Sequence, residues 1–402
     1  MLRILFVDDD KQLLSGLRRL LKVDRGDWQC HFCLSGQEGL DLLQTTDVDV
    51  VVSDIRMPGM DGVEFLTLVQ KLHPNSVRIV LSGHMGEHEA AWTIKSAHQF
   101  IAKPCTVENM LTIIERTYRF RDFFTDNDLR SLVNEIDSLP LLPAVYLELT
   151  RAMDDESKSL EDIAGIIGRD PAMSASILKA VNSAFFGLKQ QVGSVRQAVT
   201  LLGMDTIRGL VLCEGIFRQF TSMDEDDFSL KLLWDHSLRV SGLVRQVVRM
   251  EGLGPREEDV ATLVGLLHDL GKLVLADCLP GKYKKVMALV QEKSISTRQA
   301  EIMVLGTDHA RLGAYLLGLW GFSEEIVYSV AYHHQPRRCS YKTGSMLDIL
   351  YVVNLFDHSL VRLNVETFER QVDMEYMQEQ GLDKRMEDWL KLCRKELGGE
   401  QQ

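Results

Sequence analysis

A change of periodicity near residue 105 constrains the fold of this chain more than any other feature. Before it, short runs rich in β-branched and aromatic residues alternate with longer segments whose apolar residues recur at helical spacing. Strands that alternate with helices form a parallel sheet covered by helices on both faces. Residues 1–120 are therefore predicted to form an α/β, doubly wound unit with a five-stranded parallel sheet. The predicted strands are Arg3–Val7, Gln29–Cys33, Val50–Ser53, Arg78–Leu81 and Gln99–Ala102.

Beyond residue 105 the strand signal stops and helical patterns continue almost to the end. Ser159 and Asp162 form a capping-box pattern before an apolar run, and Asp170-Pro171 places a cap residue ahead of a proline at the first helical position. We therefore predict an all-α region after the α/β unit. The predicted division is a domain at 1–120, a linker at 121–128, a helical domain at 129–360 with parts 129–225 and 226–360, and a polar helical tail at 361–402.

The acidic charge balance disfavours nucleic-acid binding, and the pattern of apolar residues disfavours a membrane span. The 402 residues include 45 Lys and Arg against 58 Asp and Glu, a net charge of −13. This balance disfavours a protein that binds nucleic acid through a dense basic surface. No apolar stretch reaches the roughly 18 residues needed to span a bilayer. The apolar start, Leu2–Val7, runs directly into three aspartates, so we expect neither a signal peptide nor a membrane span.

The cysteines indicate a reducing compartment. There are seven, an odd number scattered along the chain, which does not resemble a disulfide framework. Cys30 and Cys33 form a C-x-x-C pattern, but on a strand they are predicted to point to opposite faces, which disfavours zinc or redox chemistry. We expect the protein to be cytoplasmic.

Acidic residues follow two of the predicted strands. Asp8 and Asp9 come at the end of the first strand and Asp54 at the end of the third, while Ser82 ends the fourth and Lys103 follows the fifth. Ligands of open parallel sheets bind beyond the carboxyl ends of the central strands, so these groups are expected to converge. Carboxylate oxygens with few other protein ligands suit Mg²⁺, and an aspartate can act as a nucleophile toward a phosphoryl group. Taken singly, each aspartate is more typical of a strand-end residue with a capping or solvated role.

These residues resemble the receiver domain of two-component response regulators. The matching stretches are Ile4–Asp10, Ser53–Gly62, Leu81–Gly83 and Phe100–Pro104. The resemblance implies a flavodoxin-like fold in which Asp54 accepts a phosphoryl group from a sensor histidine kinase. It also implies Mg²⁺ binding by Asp9, Asp54 and the backbone carbonyl of Arg56, with Asp8 assisting through water.

The same resemblance implies a conformational switch. Ser82 and Phe100 match the switch pair, with Phe100 in place of the commoner tyrosine, Lys103 contacts the phosphoryl group, and the Lys103-Pro104 peptide bond is cis. The switch face is expected over residues 85–121, and the resemblance implies a homodimer formed through this face.

Five histidines of the helical region lie in helix-like contexts with apolar neighbours: His236, His268, His309, His333 and His334. Facing helices commonly build metal sites from such residues, and imidazole with the carboxylate of Asp269 suits Fe, Mn, Zn or Ni. Two metals of this kind can activate water at a phosphoryl centre. Taken singly, each histidine is more typical of a core or helix-end imidazole satisfied by hydrogen bonds.

The helical region resembles the HDOD domain, a relative of the HD phosphohydrolases, over about residues 130–360. The matching stretches are Leu139–Pro143, Ile167–Pro171, Val181–Ser183, Ser194–Gly203, Leu233–Ser237, Leu267–Lys272, Asp308-His309 and Tyr332–His334. The resemblance implies one metal site formed by His236, His268, Asp269 and Asp357. It implies a second site completed by His309, His333 and His334, with Lys272 as a phosphate contact.

Three functions are compatible with this organisation. HDOD domains are generally regarded as signalling modules without demonstrated catalysis, so a phosphorylation-controlled module that binds an unknown protein partner is the first. Because this chain retains nearly the whole HD set, a metal-dependent phosphohydrolase of nucleotides or cyclic nucleotides is the second. No Gly-Tyr-Pro follows His334, which disfavours cyclic-di-GMP hydrolysis of the HD-GYP kind. A transcription factor, the third, is disfavoured by the acidic balance.

Overall fold

Two regions of different secondary structure build the molecule. The computed structural model describes residues 2–24, 28–82, 97, 99–103, 105–123, 127–136, 140, 142–155, 157–183, 186, 191–220, 229–340, 346–361 and 372–398. Contacts divide the chain into two compact units, Met1–Leu139 with Tyr315–Phe322, and Pro140–Ala314 with Ser323–Gln402. The first contains every described strand, and the second is helical.

Runs of β-branched residues form the sheet of the first unit, as their pattern predicts. Its strands are β1 (Leu2–Val7), β2 (Trp28–Cys33), β3 (Val50–Asp54), β4 (Val77–Ser82) and β5 (Gln99–Ala102). All neighbours pair in parallel, in the order β2-β1-β3-β4-β5. The strand order reverses between β1 and β3, which is where such sheets place their ligand crevice.

Helices cover both faces of this sheet. They are α1 (Lys11–Asp24), α2 (Gly36–Leu43), α3 (Gly62–Leu72) and α4 (Val107–Phe123). A further helix, α5 (Asn127–Glu135), follows them along the chain. Ile4 and Val52 pack with residues of α1 and α4 on one face, whereas their neighbours Leu5 and Val51 pack with residues of α2 and α3 on the other. The period of two along each strand therefore confirms the doubly wound α/β prediction. Cys30 and Cys33 pack against opposite apolar clusters, as predicted for a strand.

The second unit is helical throughout its described residues. Its first helices are α6 (Ala144–Asp154), α7 (Leu160–Gly168), α8 (Pro171–Val181), α9 (Val195–Leu202) and α10 (Met204–Phe217), with a 3₁₀ turn at Arg218–Phe220. Ser159 and Asp162 form the capping box that begins α7, and Asp170 caps α8 ahead of Pro171. Both helix starts lie where their cap residues predict.

Longer helices follow and carry the histidines. They are α11 (Leu230–Met250), α12 (Pro255–Leu267), α13 (Leu270–Cys278), α14 (Pro280–Lys293), α15 (Thr297–Leu305), α16 (His309–Leu319), α17 (Glu324–Tyr332) and α18 (Met346–Val361), with a 3₁₀ turn at Pro336–Arg338. No described helix is long and apolar enough to cross a membrane.

The polar tail contributes to the core of the second unit. Its helices are α19 (Met374–Glu379) and α20 (Asp383–Gly398). Trp389 on α20 is fully buried, and its indole Nε1 donates a hydrogen bond to a carboxylate oxygen of Glu251 at 2.5 Å. The tail therefore packs as part of this unit through a few apolar residues on otherwise polar helices.

Candidate functional sites

Carboxylates and one lysine meet at the carboxyl edge of the sheet. Asp8 follows β1 and is buried, Asp54 ends β3 and is half-buried, and Asp9 is exposed. Their carboxylate oxygens lie within 4.8 Å of one another. The Lys103 ammonium donates to Asp8 Oδ2 at 2.9 Å and to Asp54 Oδ1 at 2.8 Å. The topology therefore brings together four of the predicted site residues.

The electrostatics of this edge favour a further cation. Burial opposes the charge of Lys103, but hydrogen bonds to Asp54 and Asp8 raise its pKa above the usual value. One ammonium faces three carboxylates, so the cluster keeps an excess of negative charge. Hard oxygen donors in this number fit a divalent cation that keeps part of its water shell.

Some predicted switch residues lie outside the described part. Ser82 and Phe100 are on β4 and β5, but their side chains are outside the described residues. Pro104, and with it the cis peptide bond, is also outside, as is much of the predicted switch face at 85–121. Arg56 lies in the loop after β3 with an exposed side chain.

The histidines of the second unit converge although they come from different helices. His236 is on α11, His268 and Asp269 lie between α12 and α13, His309 begins α16, His333 and His334 follow α17, and Asp357 is on α18. His334 is half-buried, and the others are buried.

Two glycines permit this convergence. A Cβ at Gly265 would lie 2.3 Å from the Cα of Ser241, so only glycine lets α12 approach α11 this closely. A Cβ at Gly271 would lie 2.0 Å from the carbonyl oxygen of His309. The first approach brings His268 beside His236, and the second places the start of α13 against the backbone of His309.

The Nδ1 atoms of four histidines face hydrogen-bond acceptors. His268 Nδ1 lies 2.8 Å from the carbonyl oxygen of Gly265, and His333 Nδ1 lies 2.7 Å from that of Val330. Two carboxylates serve the others. Asp357 Oδ2 lies 2.7 Å from His236 Nδ1, and Glu301 Oε2 lies 2.6 Å from His309 Nδ1. Because these oxygens only accept, each Nδ1 must carry the proton, so in a neutral ring Nε2 presents a lone pair.

The Nε2 atoms face Asp269. Its Oδ2 lies 3.5 Å from His236 Nε2 and 3.6 Å from His268 Nε2. Its Oδ1 lies 3.2 Å from His309 Nε2 and 3.8 Å from His333 Nε2. Two groups of converging ligand atoms result, which share Asp269: one with His236 and His268, the other with His309, His333 and His334.

At pH 7 the Nε2 atoms of His268 and His333 carry no proton. Burial lowers the pKa of His268 to about 4 and that of His333 well below its usual value, so both rings are neutral at pH 7. Yet His236 Nε2 and His268 Nε2 are only 3.1 Å apart. Among the described residues, His333 Nε2 is buried without a hydrogen-bond partner. Such atoms need a cation, a proton or water between them.

The His309 ring differs from these two, because its pKa is raised and it carries a second proton at pH 7. Burial acts to lower the pKa of His309, but the charge of Glu301 and the hydrogen bonds to Asp269 and Glu301 together raise the pKa to about 9. Since Nδ1–H already faces Glu301, the extra proton is on Nε2, toward Asp269 and 3.0 Å from His334 Nε2. A positive charge thus occupies a position where the ligand atoms converge.

Asp357 contacts the Nδ1 atom of His236 and is not among the grouped ligand atoms. Both of its oxygens accept from the Arg239 guanidinium, at 2.8 and 2.9 Å, and Oδ2 also contacts His236. Lys272 donates to Asp269 Oδ2 at 2.5 Å. Arg239 and Glu301 were not predicted from the sequence. The only signal for Glu301 is a charged residue within the apolar run A-E-I-M-V-L of α15, and nothing in the spacing connects it to His309.

A doubly wound sheet with a carboxylate-lysine edge is typical of a receiver domain, and the helical domain carries the His-Asp cluster predicted for an HDOD domain. The family comparisons agree. The response regulator receiver domain matches residues 4–115, and the HDOD domain matches residues 139–336. The chain is therefore a response regulator with an N-terminal receiver domain and a C-terminal HDOD domain.

Individual relatives cover parts of the chain. An uncharacterized protein of Treponema pallidum is 28% identical over 204 residues, 51% of this chain and 39% of that protein. The heme response regulator HssR of Staphylococcus epidermidis is 31% identical over 151 residues, 37% of this chain and 63% of HssR. This chain therefore spans less than two thirds of either relative. An HDOD domain protein from Geobacter sulfurreducens has the same fold at a TM-score of 0.51 and 23% identity, covering 71% of this chain and 90% of that one.

Proposed function

We propose that Asp54 accepts a phosphoryl group from a sensor histidine kinase and that its phosphorylation controls the HDOD output domain. The observation that carries this proposal is the contact of the Asp54 carboxylate with Lys103 at an edge that also contains Asp8 and Asp9. An Asp54 carboxylate oxygen attacks phosphorus, the bond from phosphorus to the histidine nitrogen of the kinase breaks, and an acyl phosphate forms.

The surrounding residues neutralise charge during this transfer. Asp8, Asp9, Asp54 and the carbonyl of Arg56 would hold Mg²⁺, which supplies positive charge to the phosphoryl oxygens when bound. Lys103 already contacts Asp54 and so is placed to contact a phosphoryl group there. Ser82 and Phe100 are proposed to change position when the new oxygens accept hydrogen bonds, which shifts an existing equilibrium between two states of the receiver.

Treatment with acetyl phosphate and Mg²⁺ tests this step. Intact-mass measurement is expected to show one added phosphoryl group on the wild type and none on Asp54→Ala. Asp41→Ala removes an exposed carboxylate of α2 and is the matched control, which keeps the added mass. Labelling of Asp54→Ala to the wild-type extent would contradict the proposal.

We propose that the HDOD domain responds by binding a protein partner, with dimerisation through the receiver face. Comparison of the phosphorylated and unphosphorylated chains by light scattering and by capture of partners from a cytoplasmic extract tests both statements. Asp54→Ala is expected to lose the difference between the two states, and metal removal from the HDOD domain is expected to leave it unchanged.

The convergence of Nε2 atoms on Asp269 favours a second candidate, a metal-dependent phosphohydrolase of nucleotides or cyclic nucleotides. Their imidazole and carboxylate donors fit Fe, Mn, Zn or Ni, and the unpartnered His333 Nε2 is consistent with this use. Such metals supply an activated water and positive charge when bound. His236, His268 and Asp269 would form one site and His309, His333 and His334 the other, with Asp357 acting through His236.

Lys272 is the proposed phosphate contact of this candidate. Its ammonium lies 2.5 Å from Asp269 Oδ2 and is placed to attract an anionic substrate to the cluster. Elemental analysis of the purified chain separates the two candidates, because less than about 0.1 transition metal per chain leaves a phosphohydrolase without its catalyst. Metal-loaded wild type that does not cleave bis(p-nitrophenyl) phosphate or a panel of nucleotides would also exclude it.

A further inference from the structure

Glu301 is a fully buried carboxylate that faces one of the histidines. It lies on α15 with 0% exposure, and its Oε2 accepts both the Nδ1–H of His309 at 2.6 Å and the backbone N–H of His309 at 3.0 Å. Among the described residues, Oε1 is buried without any hydrogen-bond partner. Burial of an unpaired carboxylate is unfavourable, and here the pairing is to a single histidine.

The other side of Asp269 has the same arrangement. Asp357 accepts from His236 Nδ1, as Glu301 accepts from His309 Nδ1. The Nδ1 atoms of His268 and His333 instead donate to backbone carbonyls three residues earlier, at the ends of the preceding helices. Each of the two groups of ligand atoms therefore contains one histidine supported by a carboxylate, a contact that fixes the tautomer and makes an imidazole a stronger ligand.

We propose that Glu301 is a positioning residue of the metal centre, which fixes His309 with Nε2 toward Asp269 and strengthens it as a ligand. This inference rests on the proposed metal-dependent function. Glu301 also contacts the first backbone N–H of α16, so a purely structural role as a helix cap must be separated from it. Glu301→Gln does so, because an amide oxygen can still accept both hydrogen bonds but has no charge.

Mn²⁺ titration of the metal-stripped full-length chain by calorimetry, in excess Mg²⁺ that occupies the receiver carboxylates Asp8, Asp9 and Asp54, is the first measurement. The wild type is expected to bind two equivalents. In Glu301→Gln one equivalent is expected to bind about 10–100-fold more weakly while the other is unchanged, the usual cost of losing a supporting group. The Co²⁺-loaded variant should show a changed visible absorption spectrum. Glu292→Gln, an exposed glutamate on α14, is the matched control and should match the wild type in both readouts.

A second measurement does not need metal. In the metal-free protein with ¹⁵N-labelled histidine, the short bond to Glu301 should give a far-downfield imidazole proton signal, which Glu301→Gln loses and Glu292→Gln keeps. If the wild type binds two equivalents and Glu301→Gln matches it in affinity, Co²⁺ spectrum and proton signal, this inference alone is wrong. Wild type that binds no transition metal overturns both the inference and the metal-dependent function. Loss of both equivalents with a lowered melting temperature of the metal-free variant shows a structural cap and also overturns the inference.

Discussion

Gly271→Ala should destabilise the HDOD domain, although replacing a helical glycine by alanine usually does the opposite. The new Cβ would lie 2.0 Å from the carbonyl oxygen of His309, 2.7 Å from its carbonyl carbon and 2.9 Å from its Cα. Ordinary contact begins at 3.4 Å, so the start of α13 and the His309 backbone must separate by more than an ångström. Backbone cannot rotate away as a flexible side chain can.

The magnitude follows from two opposing effects. Alanine gains up to about 1 kcal/mol over glycine through helix propensity. Overpacking costs about 1–3 kcal/mol and reaches the upper end where the neighbour is rigid. We therefore expect the free energy of unfolding to fall by about 2 kcal/mol. The same displacement moves His309 away from Asp269, so metal affinity should fall as well.

Gly165→Ala is the matched control for this prediction. Gly165 lies within α7, and a Cβ there would have nothing within 4 Å. This variant should gain about 0.5–1 kcal/mol, the ordinary difference between the two residues in a helix. Urea unfolding followed by far-UV circular dichroism measures both changes in the full chain. If Gly271→Ala unfolds at the same or a higher urea concentration than the wild type, the close approach of α13 to His309 is wrong.

Three further predictions concern the tail and the metal centre. Trp389→Ala should lower the free energy of unfolding by about 3–5 kcal/mol, since this side chain is fully buried. A loss below about 1 kcal/mol in urea unfolding would show that α20 does not pack as described. Arg337→Ala should change it by no more than about 1 kcal/mol in the same assay, because the ion pairs of Arg337 with Asp373 and Glu379 are exposed to solvent. In excess Mg²⁺, which occupies the receiver carboxylates, adding Mn²⁺ to the metal-stripped chain should raise the melting temperature of the wild type but not of Asp269→Asn. An equal rise in both would show that the ion binds elsewhere.

Local patterns were sufficient to predict most of the fold. The β-branched run before Asp54 and the period of two along β1 predict a strand covered on both faces, and β3 is buried as expected. The capping box at Ser159 and the cap at Asp170 predict where two helices begin. These signals depend on neighbours within a few residues, which a sequence displays directly.

The receiver edge was predictable because topology alone brings it together. In a parallel sheet every strand ends at the same edge, so residues after β1 and β3 must meet there whatever their separation along the chain. Helices have no equivalent rule. His236 and His309 meet only because α12 and α13 approach their neighbours through Gly265 and Gly271, and spacing shows neither contact. For the same reason the sequence did not predict that Arg239 binds both oxygens of Asp357.

The orientation of the rings bears on the two interpretations that the histidine spacing left open. A core histidine satisfied by hydrogen bonds needs a donor for its unprotonated nitrogen. His268 and His333 donate through Nδ1 to backbone carbonyls, and at pH 7 neither has a proton on Nε2. His268 Nε2 nevertheless lies 3.1 Å from His236 Nε2. Among the described residues, His333 Nε2 has no hydrogen-bond partner. Lone pairs directed at one carboxylate are unfavourable in a core and favourable around a cation, so the geometry supports metal ligation over the core interpretation.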